Sequence, residues 1–334
     1  MTLNEVNLSK INFKEKNQVV SDKVTAPIKS DYEKTPVTDS FDKQETITAD
    51  STNTNKKGMS KGLKWLLALG GVGTLVTVLC LKFRTKKIPF EEVQKSLSEI
   101  FGKNFSKEET ETLIKKYTEI YKEKGSDTYY HKLVDQLKKD YGIEKVNTKL
   151  KIDNTIQSGT FQTGGEAGRN GTITIYTETM KKVGDEAGFD TLFHELKHVR
   201  QYSELWMADS ERFLKELTEQ ALDIQSKETQ EVIQELLKTG ASRKDAEKYL
   251  YNEMYKEMKK HLEPIYENLS KFKKDTPEYK KGLEYIESML RRDNYITTNE
   301  KEFEAYKNLL CEKEAFNCGD NAQKLLKYIQ QNLK

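Results

Sequence analysis

His194, Glu195 and His198 read His-Glu-Leu-Lys-His, and they account for two of the four histidines in a chain of 334 residues. On a helix, residues four apart lie one above the other on the same face. Two imidazoles so placed can hold one divalent ion, and Glu195 beside them can take a proton from an attacking water. The helix itself is written into the neighbours. Phe189, Leu192, Phe193 and Leu196 fall at i, i+3, i+4 and i+7, an apolar stripe for burial. The two histidines point roughly 160° away from that stripe, at about 100° per residue. One side of the helix should therefore meet a core and the other a cleft. A plain amphipathic helix with two histidines on its wet face is the competing reading. Against it, Glu occupies the one slot where the chemistry needs it.

The segment from Asp190 to Gln201 resembles the active-site helix of zincin metallopeptidases. Its His-Glu-Leu-Lys-His-Val-Arg-Gln is similar to small bacterial, gluzincin-like forms written H-E-x-x-H-x-x-Q. The resemblance covers this helix, the strand before it and one later helix, and leaves out the N-terminal third. It implies Zn²⁺ as the metal, a third ligand from a later helix, and an edge strand along the cleft that pairs with an extended substrate.

Two histidines do not hold a catalytic zinc, which needs a third protein ligand and keeps a fourth position for water. Glu219 and Glu312 compete, with Glu314 beside the latter. Glu219, in Thr-Glu-Gln-Ala-Leu-Asp, stands at a distance after His198 that resembles thermolysin-like enzymes. Yet Phe213, Leu214, Leu217, Ala221 and Ile224 mark the buried stripe of its helix, and Glu219 lies roughly 170° from the middle of it. Glu312 has Leu309, Ala315 and Phe316 one turn away on either side, so its face is a buried one. A buried carboxylate wants a cation. Glu-x-Glu-Ala is also similar to the third-ligand helix of gluzincins. Phe316 departs from that pattern, because many gluzincins place there an Asp that orients the first histidine. Glu312 is the favoured ligand, ahead of Glu314 and Glu219.

The elements that must carry these residues can be read in order. Residues 1–60 are polar and charged, too poor in apolar residues to bury a core, and are expected to be disordered. Met1 to Asn12 lacks the apolar centre of a secretory leader. Trp65 to Leu81 is an uncharged run flanked by Lys61, Lys64, Lys82, Arg84, Lys86 and Lys87. Its length is at the lower limit for a spanning helix, so residues 61–87 read as a single transmembrane anchor with basic flanks. The metallopeptidase-like domain would fill 88–334. Within it 88–148 is helical, with Phe90 to Phe101, Lys107 to Glu123 and His131 to Tyr141 as packing helices. His131 reads as a surface or packing residue. In 149–203, Thr172-Ile-Thr-Ile-Tyr176 alternates like a strand, and Arg169-Asn170-Gly171 marks a hairpin turn before the metal helix. In 204–334, helices are expected over Ser210 to Lys227, Thr229 to Leu237, Ser242 to Lys271, Pro277 to Arg291 and Thr298 to Leu333. The predicted class is mainly α (α+β): a metal helix with a small β-hairpin, wrapped by a helical bundle.

Charge narrows the partners. Lys and Arg number 56 against 54 Asp and Glu, so no basic field for nucleic acid exists. Cys80, Cys311 and Cys318 are too few and too scattered for a disulfide framework. Positive charge is similar on both sides of the span and leaves its orientation open; the unpaired cysteines and the slight excess after the span lean toward a cytoplasmic catalytic part. The expected function is a membrane-anchored zinc metallopeptidase acting on peptide or protein substrates, with Glu195 as general base, His194, His198 and Glu312 as metal ligands, and Thr172 to Tyr176 positioning the substrate. Tyr176, Arg200 and His261 are candidate oxyanion donors. The alternative is a membrane-anchored helical scaffold in which zinc is structural or absent.

Overall fold

Phe189, Leu192, Phe193 and Leu196 are all fully buried, and the fold is assembled around the helix that carries them. Each such side chain contributes about 1.5–3 kcal/mol of burial energy. The computed structural model describes residues 87–156, 163–293 and 300–333, and those from Ile88 on belong to one compact unit. The predicted disordered tail and the predicted span at Trp65 to Leu81 lie outside the described residues. Among the described residues, no helix is long and apolar enough to cross a membrane.

Three helices come first: α1 Phe90–Phe101, α2 Lys107–Lys122 and α3 Tyr129–Tyr141. Their ends are set locally. Ser106 and Glu109 form a reciprocal capping box at the start of α2. Gly102 and Gly142 close α1 and α3 in the left-handed conformation that glycine adopts without strain. Next come strands β1 Lys149–Asp153, β2 Gly165–Ala167 and β3 Thr172–Tyr176, then the short helix α4 Thr177–Val183. The helix that carries His194 and His198, α5, runs Phe189–Ala221. It is followed by α6 Lys227–Lys238, α7 Arg243–Tyr266, α8 Pro277–Asp293, α9 Glu300–Lys307 and α10 Leu310–Asn332.

The architecture is mainly helical with a small three-stranded sheet, as the sequence reading anticipates in outline. Two details differ, the sheet and the last long helix. The predicted hairpin exists as β2 against β3, but β1 adds a parallel strand on the far side, giving the order β1-β3-β2. β1 is mostly exposed, so it lacks the one-sided apolar pattern that reveals a strand. The helices expected at the metal motif and at Ser210 abut end to end, the second starting at Ser210 as expected. They bend at Asp209, whose backbone is non-helical (φ −152°, ψ 81°). The Asp209 carboxylate accepts from the Arg212 amide at 2.9 Å and so caps the second half. The long helix expected over Thr298 to Leu333 is split instead. Asn308 folds its side-chain amide back onto the Glu304 carbonyl at 2.8 Å, and Leu309 is extended (ψ 141°), so a new helix starts at Leu310.

Both sides of α5 are occupied. Its apolar stripe faces α2 and α3 through an aromatic cluster in which Phe189 stacks on Phe193 and Tyr117 touches both. Tyr141 donates its hydroxyl to the Phe193 carbonyl at 3.2 Å. On the other side α8 and α10 run against α5, and the sheet meets it through β2 and β3. At the N-terminus of α5, the Asp185 carboxylate accepts from the backbone amides of Asp190 (3.2 Å) and Thr191 (2.8 Å), satisfying two of the donors a helix start leaves open.

Candidate metal centre

The two histidines and Glu312 meet. His194 and His198 present Nε2 atoms 3.2 Å apart. The Glu312 carboxylate, arriving from the first turn of α10, straddles the pair. One oxygen lies 3.6 Å from His194 Nε2 and the other 3.3 Å from His198 Nε2. A tetrahedral zinc with bonds of about 2.0–2.1 Å holds its ligand atoms about 3.3 Å apart; the two imidazole nitrogens stand at that spacing, and one ligand atom from each of the three residues lies within 4.8 Å of the others. Glu312 is fully buried, yet neither of its oxygens has a hydrogen-bond partner of good geometry. A buried carboxylate left in that state is costly, and a cation between it and the imidazoles removes the cost. These three residues could hold a metal ion, and among the described residues theirs is the one such group found.

Burial acts to raise the Glu312 carboxyl. The neighbouring His198, His194 and Arg292 outweigh it and hold the group well below the ordinary carboxylate range. Arg292, at the end of α8, places Nη1 3.6 Å from a Glu312 oxygen, and its other guanidinium nitrogen meets the Tyr202 hydroxyl. Glu195 sits beside the histidines and is also buried. Burial pushes its carboxyl up, with His194 and His198 pulling the other way. A buried carboxylate beside two imidazoles is placed to exchange protons with a group bound there.

The other candidates are placed elsewhere. Glu219 is exposed on the outer face of α5, as the helical phase predicts. Glu314 is a structural partner. It pairs with Lys197 at 2.9 Å and Lys281 at 3.0 Å and accepts from the Tyr285 hydroxyl. Burial opposes ionisation there, but Lys197, Tyr285 and Lys281 hold its carboxyl at about 2. Arg200 spends its guanidinium on Glu204 and the Phe101 carbonyl. His261 is exposed on α7 against Glu257, and His131 is exposed on α3. Tyr176 is the one candidate donor on the Glu195 side. Its hydroxyl is pushed up by burial first, then by Glu166, Asp153 and Glu195.

The strand assigned to substrate also changes. β3 is the central strand, with both edges taken by β1 and β2, so it cannot pair with a substrate backbone. β2 lies against α5 instead. A side chain at Gly165 would put its Cβ 2.7 Å from Thr191 Cγ2 and 3.2 Å from Glu195 Cγ. Glycine therefore lets the β2 backbone rest on Glu195.

Several site residues carry no mark in the sequence that assigns them. Arg292, Tyr202 and Tyr306 reach the centre only through the fold. Tyr306, on α9, has its hydroxyl raised well above the ordinary range by burial and by the Glu312 charge. Phe316 packs edge-on against His194, with ring centres 4.7 Å apart, where the resemblance would put a carboxylate. Gln201 belongs to the quoted motif, but its contacts to His198 and Cys311 become visible only here. Compared with known proteins, the chain matches no family model, no curated protein and no solved structure.

Proposed function

We propose that the chain is a zinc-dependent metallopeptidase. The observation that carries this reading is the buried Glu312 carboxylate, without a good hydrogen-bond partner, set at ligand distances from two imidazole nitrogens with Glu195 alongside. His194, His198 and Glu312 would hold the ion. When bound, zinc would supply a Lewis acid that polarises the scissile carbonyl and acidifies water. Three ligands rather than four support an open position and a catalytic over a purely structural site.

In this reading Glu195 accepts the proton of the attacking water and hands it to the leaving amine. An extended peptide would lie along the outer edge of β2, where no other strand pairs among the described residues. There the Thr163 hydroxyl donates to the Gly165 carbonyl at 2.8 Å, a contact that the peptide would displace. N-methylation of single peptide bonds in a cleaved substrate should raise KM next to the scissile bond; an indifferent KM would remove β2 from the account.

The decisive variant for the chemistry is Glu195→Gln. It should keep one zinc per chain and lose about 10²–10⁴ in kcat, the usual size of a general-base contribution. Unchanged turnover with zinc retained would take Glu195 out of the mechanism. The single-pass anchor at Trp65 to Leu81 and a cytoplasmic catalytic unit complete the proposal on sequence grounds. Full-length protein released from membranes by alkaline carbonate would contradict the anchor.

A further inference from the structure

Gln201 stands three residues after His198 on the same face of α5 and is fully buried. Its side-chain amide makes two contacts, 2.8 Å to His198 Nδ1 and 3.0 Å to the Cys311 carbonyl. These two contacts settle each other. A carbonyl oxygen only accepts, so the amide end facing Cys311 is the NH₂. The end facing His198 is then the amide oxygen, which also only accepts. His198 Nδ1 must therefore carry a proton, and in a neutral ring the lone pair is left on Nε2. That is the nitrogen facing His194 and Glu312.

The second contact acts on the other ligand. Cys311 immediately precedes Glu312. Its carbonyl is held by Gln201 of α5, and its amide donates to Ser288 Oγ of α8 at 3.0 Å. The start of α10 is clamped from two helices one residue before the carboxylate it must deliver. From this we infer that Gln201 is a positioning residue: it sets His198 in the tautomer that turns a bare Nε2 to the metal, and it couples that tautomer to the placement of Glu312. The inference rests on the metal centre proposed above and does not depend on what that centre hydrolyses.

Two variants of the full-length chain separate this role from mere packing. Gln201→Met keeps the volume and removes both contacts. Gln201→Glu keeps an acceptor for the His198 proton but loses the donor to Cys311. Zinc affinity is read by chelator competition on metal-stripped protein, with thermal unfolding as the check on folding. Gln201→Met should bind zinc about 10–100-fold more weakly, as outer-shell partners of metal-bound histidines do. Gln201→Glu should recover part of that loss through the His198 proton, the remainder measuring the lost hold on the Cys311 carbonyl. Binding by Gln201→Met as tight as the parent, or an equal loss in both variants, would overturn the inference. Should Gln201→Met not fold, ¹⁵N imidazole signals of the metal-free parent at mildly alkaline pH decide the matter. A proton on Nδ1 of His198 is expected, and a proton on Nε2 overturns it. Neither readout needs peptide turnover, so failure of hydrolysis and failure of this inference are distinguishable.

Discussion

The Glu312 carboxylate is fully buried and faces three nitrogen-bearing side chains, His194, His198 and Arg292. Its negative charge must be balanced from inside the protein or by an ion. Arg292, 3.6 Å away, supplies part of that balance whether or not the site is loaded. Removing one partner of a buried pair costs about 3–5 kcal/mol because the other charge is left uncompensated. Arg292→Leu should therefore destabilise metal-free protein strongly, and saturating zinc should return much of the loss, since ligand binding to the native state adds stability by mass action. The check is chemical denaturation with and without zinc. Equal destabilisation in both conditions would mean that Arg292 does not serve the Glu312 charge. None of this was legible in the sequence, because Arg292 and Glu312 come from separate helices and no short-range pattern links them. His194, Glu195 and His198 were legible, because a helix turns their spacing directly into a shared face. Glu312 was legible through its flanks, Leu309 and Ala315, both of which are buried.

At the scale of elements, the centre depends on how α10 lies along α5. The two helices run antiparallel and are pinned at three levels. Gln201 meets the Cys311 carbonyl at one end, Lys197 pairs with Glu314 in the middle, and Asp190 rests on Gly319 at the other end. A Cβ at Gly319 would come 2.0 Å from the Asp190 carboxylate and 3.4 Å from its backbone oxygen. Gly319→Ala must push the helices apart or force Asp190 to turn away, an overpacking cost of about 1–3 kcal/mol. Because Glu312 rides on the same helix, zinc affinity should fall together with stability. Retained affinity in a destabilised Gly319→Ala variant would show that the register is held elsewhere. The sequence marked the helices better than their junctions. The break at Asn308 was missed because a side-chain cap competes with a continuous apolar pattern that runs straight through it. The strand β1 was missed because its pairing with β3 is non-local and its faces are mostly wet. Reading β3 as an edge had the same cause: Thr172 to Tyr176 gives a strand, but only pairing says which strand is central.

For the molecule as a whole, the stability of α5 at its N-terminus is tied to pH. Asp185 is 2% exposed. Burial pushes its carboxyl up to about 6, against the opposing pull of the Thr191 and Asp190 amides. A carboxyl whose folded value lies above its unfolded value favours the fold most when protonated. Its contribution is complete below about pH 4 and is lost as pH rises through about 6; a shift of about two pH units corresponds to roughly 3 kcal/mol. Asp185→Asn should remove that slope. The unfolding free energy of the parent, measured relative to the variant, should fall between about pH 4 and pH 7 and then level off. Parallel profiles would exclude Asp185 as the titrating group. The mainly helical class and the burial of Phe189, Leu192, Phe193 and Leu196 followed from periodicity alone. The small sheet beside α5 was announced only by its β3 segment and the turn at Gly171.

Bound zinc per full-length chain, measured by elemental analysis after purification without added chelator, tests the central claim most directly. The parent and Glu219→Ala should each carry one zinc, and Glu312→Ala should carry far less. A parent without zinc, or a Glu312→Ala variant that keeps a full complement, would contradict the proposed zinc site at His194, His198 and Glu312.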